Sequence, residues 1–243
     1  MPDLIDLLWR DDSAAGPARR GPRRRTTPGE VISSAIALAD DGGLPAVTVR
    51  ALAQRLGLTP MAVYTYVNSR EDLLVLMADL AYMRMPAPVS GGDASPWRDR
   101  VRCLAHDNRD LLCAQPWLLE VHDPRVVLGP GTIAKYDREL AVFDGLGLDD
   151  VQRDAALSFV LDFAMAGALR RLEAQSAEGL DWDAVATPLA GHLGDRHPLA
   201  QQVGATAGAE FDGAYDPDAA WRFGLERVLD GLAPILEQGG PSR

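Results

Sequence analysis

Five arginines, Arg19, Arg20, Arg23, Arg24 and Arg25, crowd into seven residues near the N-terminus, within the segment GPARRGPRRR. Guanidinium groups at that density meet phosphates, by following a nucleic-acid backbone or by entering a narrowed minor groove; the plain alternative is a solubilising linker. Further on, Thr59, Pro60, Met61 and Thr65 supply hydroxyl and apolar groups suited to thymine methyls and water-mediated contacts rather than bidentate reading of guanine. The groups an enzyme would need are not arranged for catalysis. No GxSxG, HExxH, P-loop or dinucleotide-binding glycine pattern occurs, and His106, His122, His192 and His197 have no convincing nucleophile partner. Cys103 and Cys113 lack a metal-ligand or CxxC spacing and read as buried thiols, so neither a metal nor a cofactor is expected.

The formal net charge of −11 is unequally distributed. Residues 19–70 hold eight arginines against Glu30, Asp40 and Asp41, whereas residues 71–243 hold 15 basic and 28 acidic groups. A basic head on an acidic body suits a protein that touches nucleic acid at one end only. Across 243 residues, 47% apolar, there is material for a real core in one large domain or two modest ones. No apolar run approaches the roughly 18 residues of a membrane span, and no signal-peptide layout opens the chain, so the cytoplasm is the expected location.

These groups have to be positioned by helices. Residues 1–27 read as a mobile arm. Thr27-Pro28-Gly29-Glu30 has the hydroxyl, proline and glutamate of a capping box, and Val31, Ile32, Ala35, Ile36, Leu38 and Ala39 continue at helical spacing until Asp41-Gly42-Gly43. Thr48 caps a second helix ending at Gly57; Thr59 caps a third that runs to Asn68, and Ser69 caps a fourth. Two short helices around a glycine-containing turn make a helix-turn-helix, and the N-terminal end of the second is the part that meets base edges.

After Met85 the stretch PAPVSGGDASP marks the expected domain boundary, giving an arm over 1–27, a head over 28–85 and an all-α remainder over 86–243. Helices are expected from Trp97 to Gln115, Pro130 to Gly145, Asp150 to about Ala174, and from Asp216-Pro217 onward, with an ill-ordered loop over 175–216 carrying a weak helix near 198–209. Trp97, His106, Asn108, Trp117, His122, Phe159, Phe163 and Arg170 offer aromatic walls and a few polar groups, the mixture a small-molecule pocket needs. Core packing is the competing reading for most of them, His106 above all.

The segment VTVRALAQRLGLTPMAVYTYVNSREDLL, together with the Gly42-Gly43 helix end, resembles the DNA-binding region of the tetracycline repressor family. Ser95-Pro96-Trp97, Glu120-Val121-His122 and FGLERVLDGL at 223–232 carry a looser similarity to the ligand domain of the tetracycline repressor, and DLLWR with its arginine-rich linker resembles N-terminal extensions of actinobacterial members. The resemblance implies a regulator, most simply a repressor of a transporter or a resistance or metabolic gene. It would bind a palindromic double-stranded DNA operator as a homodimer and be released by a small molecule.

It also implies roles for particular residues. Thr48, Tyr64, Tyr66 and Arg70 match positions that hold phosphates, and Arg50 a position that adds a guanine contact. The alternatives are packing for Tyr64 and solvation for Arg50. His122 falls where a magnesium–tetracycline complex is ligated, but the family's second histidine has no counterpart near Met85-Pro86, so the expected effector is an aromatic or polyketide-like molecule. Helices 150–174 and 218–236 would pair across a two-fold axis, with Phe159, Leu169, Trp221, Leu225, Val228 and Leu232 as interface residues. An architectural DNA-binding protein without sequence preference is the second rival, after an enzyme, and the acidic remainder would serve no purpose in it.

Overall fold

The computed structural model describes residues 3–10, 26–86, 95–176, 182–211, 213 and 215–238. Eleven α-helices and no strand are present among them. The head comprises α2 (Pro28–Ala46), α3 (Val49–Leu56), α4 (Pro60–Val63) and α5 (Arg70–Arg84), preceded by a short α1 (Leu4–Leu8). Helices α6 (Trp97–Ala114), α7 (Pro130–Leu140), α8 (Asp150–Ser176), α9 (Trp182–Leu193), α10 (Pro198–Phe211) and α11 (Pro217–Gln238) follow, with 3-10 turns at Pro116–Glu120 and Pro124–Leu128 between α6 and α7.

Local sequence chemistry sets the head's boundaries. Thr27 and Glu30 satisfy each other's backbone N–H groups at the start of α2, closing the capping box that the spacing predicts. The helix continues past its expected stop only after a break. Gly42 and Gly43 leave helical geometry, and Gly43 takes φ +69°, a region open to glycine, before the chain re-forms one turn through Ala46. Thr48 caps α3, and Gly57, left-handed at φ +64°, closes it.

The core divides in two. One cluster joins α2, α3, α4 and α5 through Val31, Ala35, Leu52, Val63, Val75 and Met77. The other joins α6, α8 and α11 through Val101, Leu104, Leu157, Val160, Leu225 and Leu229. The first cluster reaches beyond the composition break after Met85, because Trp117 and Leu118 of the Pro116–Glu120 turn are buried in it.

Two segments differ from their sequence reading. Within the expected mobile arm, residues 4–8 form a helix capped at Asp3, and its Leu4, Leu7 and Leu8 are buried against the head. The apolar triplet is short, but it finds a surface; Trp9 Nε1 then donates to the Leu128 carbonyl at 2.9 Å and Arg10 to the Tyr66 carbonyl at 3.1 Å. Within the expected loop over 175–216, the helix expected near 198–209 forms as α10, and α9 forms ahead of it where no helix is expected. Glycine and alanine there dilute the apolar pattern without preventing helix formation.

Candidate functional site

The helix-turn-helix presents one exposed edge. Thr59 caps α4 by accepting from the Ala62 N–H at 3.3 Å, with Pro60 in the first turn. Thr59, Pro60, Met61, Tyr64 and Thr65 are exposed, Met61 at 76%, while Val63 and Val67 are buried and seat the element on the head. The element is shorter than its pattern predicts: α4 ends at Val63 and turns carry the chain through Tyr66. The run Val-Tyr-Thr-Tyr-Val is β-branched and aromatic, with low helix propensity, and the Thr65 hydroxyl donates back to the Ala62 carbonyl.

On the preceding helix Thr48 and Arg50 are exposed on the surface, Thr48 also accepting from Ala51 N–H. Arg70 is exposed overall but ties one guanidinium nitrogen to the Leu44 carbonyl at 3.0 Å, so it also closes the turn after the Gly42-Gly43 break. Tyr66 departs from the phosphate-holding role. It is 6% exposed, and its hydroxyl donates to the Thr26 carbonyl inside the head. Two positions after exposed Tyr64, in the turns that follow α4, its side chain faces the opposite way, into the head. Arg23, Arg24 and Arg25, like Arg19 and Arg20, lie outside the described residues.

A cavity of about 250 Å³ opens among α5, α6, the Pro116–Glu120 turn, α7 and α8. Leu111, Leu112, Leu118, Leu161 and Met165 supply apolar walls; Tyr82, Asn108, His122, Lys135 and Asp162 supply the polar groups. Lys135, the chain's one lysine, is 8% exposed and pairs with Glu139 one turn along α7 at 2.7 Å. Glu139 accepts through its other oxygen from Asn108 Nδ2 at 2.7 Å, and the Lys135 ammonium lies 5.4 Å from the Tyr82 ring centre. Burial pushes the Lys135 ammonium below the usual lysine range, against the opposing pull of Glu139, and burial pushes the Tyr82 hydroxyl up.

Of the pocket residues read from sequence, Asn108 and His122 line this cavity and the others lie elsewhere. Trp117, 1% exposed, is turned into the head and donates to Asp40 at 2.7 Å. Trp97 packs beside the second core under the Arg98 guanidinium. His106 and Phe163 both pack on Trp221, edge-on at 5.4 Å and stacked at 4.7 Å. Phe159 is 51% exposed on the outer face of α8, and Arg170 is an exposed partner of Glu173. Aromatic type alone could not separate these fates, because each helix has several faces. Tyr82 and Lys135 line the cavity with no motif to mark them; a lone lysine amid an apolar helical stripe is the available signal.

The residues expected at a dimer interface divide in the same way. Phe159 and Leu169 are exposed on α8, whereas Trp221, Leu225, Val228 and Leu232 are buried within the same chain against α6 and α8. The apolar stripe of α11 is therefore consumed internally, and what it leaves outside is Phe223, 68% exposed, and Ile235. Small residues let the helices approach: a side-chain carbon on Gly167 would strike the Trp221 ring, and one on Gly224 the Phe163 ring.

Segment 123–135 fastens the cavity to the head along α5. Arg125 bridges Asp123 and Asp72, the latter in the first turn of α5, at 2.6 and 2.9 Å. Asp79 accepts from the Thr132 N–H at 2.8 Å and from its hydroxyl, which caps the start of α7, and Gly131 sits against the Asp79 backbone with no room for a side chain. The Tyr82–Lys135 contact completes the seam at the cavity itself.

A helix-turn-helix head joined through α5 to a cavity-bearing helical body is the architecture of a DNA-binding regulator. Comparison with known proteins carries this to a family: residues 31–77 match the model for bacterial regulatory proteins of the tetR family, and residues 88–236 the tetracycline-repressor-like C-terminal domain. The chain belongs to the tetracycline repressor (TetR) family of transcriptional regulators.

Among curated proteins it is 31% identical to the HTH-type transcriptional repressor DrrR1 of Streptomyces coeruleorubidus, covering 96% of this chain and 86% of that one. It is 26% identical to the HTH-type transcriptional repressor Rv1353c of Mycobacterium tuberculosis, over 92% and 86%. Among solved structures, ActR of Streptomyces coelicolor in complex with actinorhodin shares the fold at TM-score 0.72 and 22% identity, covering 90% of this chain and 100% of that one. A TetR variant of Acinetobacter baumannii in complex with minocycline does so at 0.62 and 18%, over 87% and 99%. Among the described residues no helix is long and apolar enough to cross a membrane.

Proposed function

We propose that this regulator is a ligand-released cytoplasmic repressor that binds a palindromic operator as a homodimer. The observation that carries this reading is the exposed edge from Thr59 to Thr65, held outward by buried Val63 and Val67. On this reading Thr59, Pro60, Met61 and Thr65 meet base edges, Arg50 adds a base contact, and Thr48, Tyr64 and Arg70 meet phosphates. The arginine-rich arm adds salt-sensitive affinity. Residues 28–85 serve as the DNA-binding head and residues 86–243 bind the effector and dimerise through the outer faces of α8 and α11. That two relatives are named repressors supports repression over activation, and the regulated gene is a neighbouring transporter, resistance or metabolic gene.

The cavity at Tyr82, Asn108 and Lys135 is the effector site on this reading. An occupant there bears on Tyr82 of α5 and on α7 together, and segment 123–135 passes the displacement to Asp79 and Asp72. Effector then favours a state whose two heads are wrongly spaced for successive half-sites, a shift of population between two conformations.

Footprinting of the region upstream of the chain's own gene tests the reading. Selective protection of one palindrome, weakening as salt rises, is expected; uniform protection, or none, overturns it.

A further inference from the structure

We propose that the effector is a compact aromatic acid, whose carboxylate or ionised phenolic oxygen accepts a hydrogen bond from Lys135 Nζ while its ring lies between Leu111, Leu118 and Leu161. This rests on the reading of the cavity as the effector site and goes beyond it by naming the chemistry that the site selects.

The argument begins with why a buried ion pair is there at all. Lysine is almost never buried without a partner, and a buried pair replaced by apolar residues of similar volume commonly leaves stability unchanged or improved. Stability therefore does not explain Lys135 and Glu139, which are 8% and 3% exposed. Their position does: the pair is not sealed in a core but stands with Lys135 on the wall of a cavity.

The two members are not equally available to a ligand. Glu139 has both oxygens engaged, one by Lys135 and one by Asn108 Nδ2, and Asn108 itself is tied to the Leu104 carbonyl at 3.0 Å. The ammonium carries three donors, one of them on Glu139 at 2.7 Å, with the Tyr82 ring beside it at 5.4 Å. The buried end of the wall thus sets the donors of Lys135 beside a carboxylate whose two oxygens are each already engaged, with the Asn108 amide and the Tyr82 hydroxyl as the neutral polar groups next to them. The remaining titratable groups in the lining, His122 and Asp162, are both exposed, so water screens the Asp162 charge from an anion bound deeper in. Leucines and Met165 around this single buried cation ask for a flat apolar body with an acidic edge. The volume of about 250 Å³ lies below that of most pockets for drug-sized ligands, which limits the body to a compact one.

Calorimetric titration of the full-length protein tests this with 2-naphthoic acid, 1-hydroxy-2-naphthoic acid and salicylic acid, each beside its methyl ester. At least one acid is expected to bind about tenfold or more tightly than its ester, the scale of a desolvated charge-assisted hydrogen bond. The double variant Lys135→Met/Glu139→Gln, which removes the pair without leaving a lone charge, should lose that preference; Leu161→Trp should fill the cavity and abolish binding of acid and ester alike. Equal binding of acids and esters overturns the proposal while leaving the cavity as the effector site. Binding untouched by Leu161→Trp overturns the site itself, and no binding of any acid at millimolar concentration overturns the proposed ligand class. The comparison of acid with ester in the unaltered protein decides the matter even if a variant does not fold.

Discussion

The indole of Trp117 donates a 2.7 Å hydrogen bond to the carboxylate of Asp40, across the seam between the cavity-lining turn Pro116–Glu120 and helix α2 of the head. Gln115 donates to the same carboxylate at 3.2 Å, and the Trp117 ring is 1% exposed in the head's core. A side chain that reads from sequence as a pocket wall is thus the peg that holds the two halves together. Trp117→Ala is expected to cost about 3–5 kcal/mol, the range for emptying a large aromatic site. Trp117→Phe keeps the packing and loses a hydrogen bond to a charged group, about 1.5–3 kcal/mol. Urea unfolding of the two variants checks this, and effector titrations of Trp117→Phe should leave the cavity's affinity within a factor of two or so, since Trp117 does not line it.

Acidification should distinguish Asp79 from the carboxylates that sit beside arginines. Burial raises its carboxyl above the ordinary range, outweighing the hydrogen bonds from Thr132 and Gly131 that pull it down. The native chain therefore holds this proton more tightly than the unfolded chain does. The resulting stability is fully present below the unfolded value of 3.8 and is lost as pH rises through the raised folded value. Asp123, Asp218 and Asp230 shift downward beside arginines and act in the opposite sense, so only the difference between a variant and the parent isolates Asp79. Asp79→Asn retains an acceptor for the Thr132 N–H. Thermal melts from about pH 4 to 7 should show the variant gaining on the parent as pH rises; parallel curves would show that burial does not dominate at this carboxyl.

Much of this architecture is legible from residue type alone, because caps and stops are local. Thr27 with Glu30, Thr48, Gly57, Thr59 and Ser69 each mark a boundary by chemistry confined to one turn, and the structure places helix ends at all of them. What is not local is harder to read. Trp221, Leu225, Val228 and Leu232 are spaced as one apolar stripe on α11 and are buried, but only the arrangement of α6 and α8 around α11 decides that the stripe is covered within the chain. The docking of Leu4, Leu7 and Leu8 depends likewise on a surface supplied by α5. Lys135 is distinctive in composition, but Tyr82 beside it and Asn108, which shares Glu139 with it, come from helices 53 and 27 residues away, a juxtaposition that no spacing rule encodes.

The outer faces of α8 and α11 should prove to be the dimer contact. Phe159 and Leu169 project from one and Phe223 from the other, and large exposed apolar groups on neighbouring helices mark an association surface. Phe159→Glu combined with Phe223→Glu is expected to give a folded monomer by light scattering, with operator affinity lowered by at least about tenfold because one head alone meets one half-site. Leu229→Ala is the contrasting variant. It is fully buried within the chain, so it should lower unfolding stability by about 2–5 kcal/mol while the surviving folded protein remains dimeric. A dimer that persists with both glutamates would place the contact elsewhere.

Tyr64 and Tyr66 stand two residues apart and should answer to different measurements. Tyr64 is 42% exposed on the edge that faces DNA on the proposed reading, whereas the Tyr66 hydroxyl is already spent on the Thr26 carbonyl at 3.2 Å. Removing the hydroxyl with Tyr64→Phe should weaken operator binding severalfold, about 0.5–1.5 kcal/mol, with little change in melting temperature. Tyr66→Phe should reverse the pattern, costing about 0.5–1.5 kcal/mol of folding stability while the affinity of the folded protein stays near that of the parent. The Arg50→Ala variant separates the two classes of DNA contact. Loss of a base contact relaxes preference at one operator position and leaves the salt slope intact, whereas loss of a phosphate contact lowers affinity for all sequences and reduces the slope by about one. A Tyr66→Phe variant that lost operator affinity without losing stability would return that hydroxyl to the phosphate backbone.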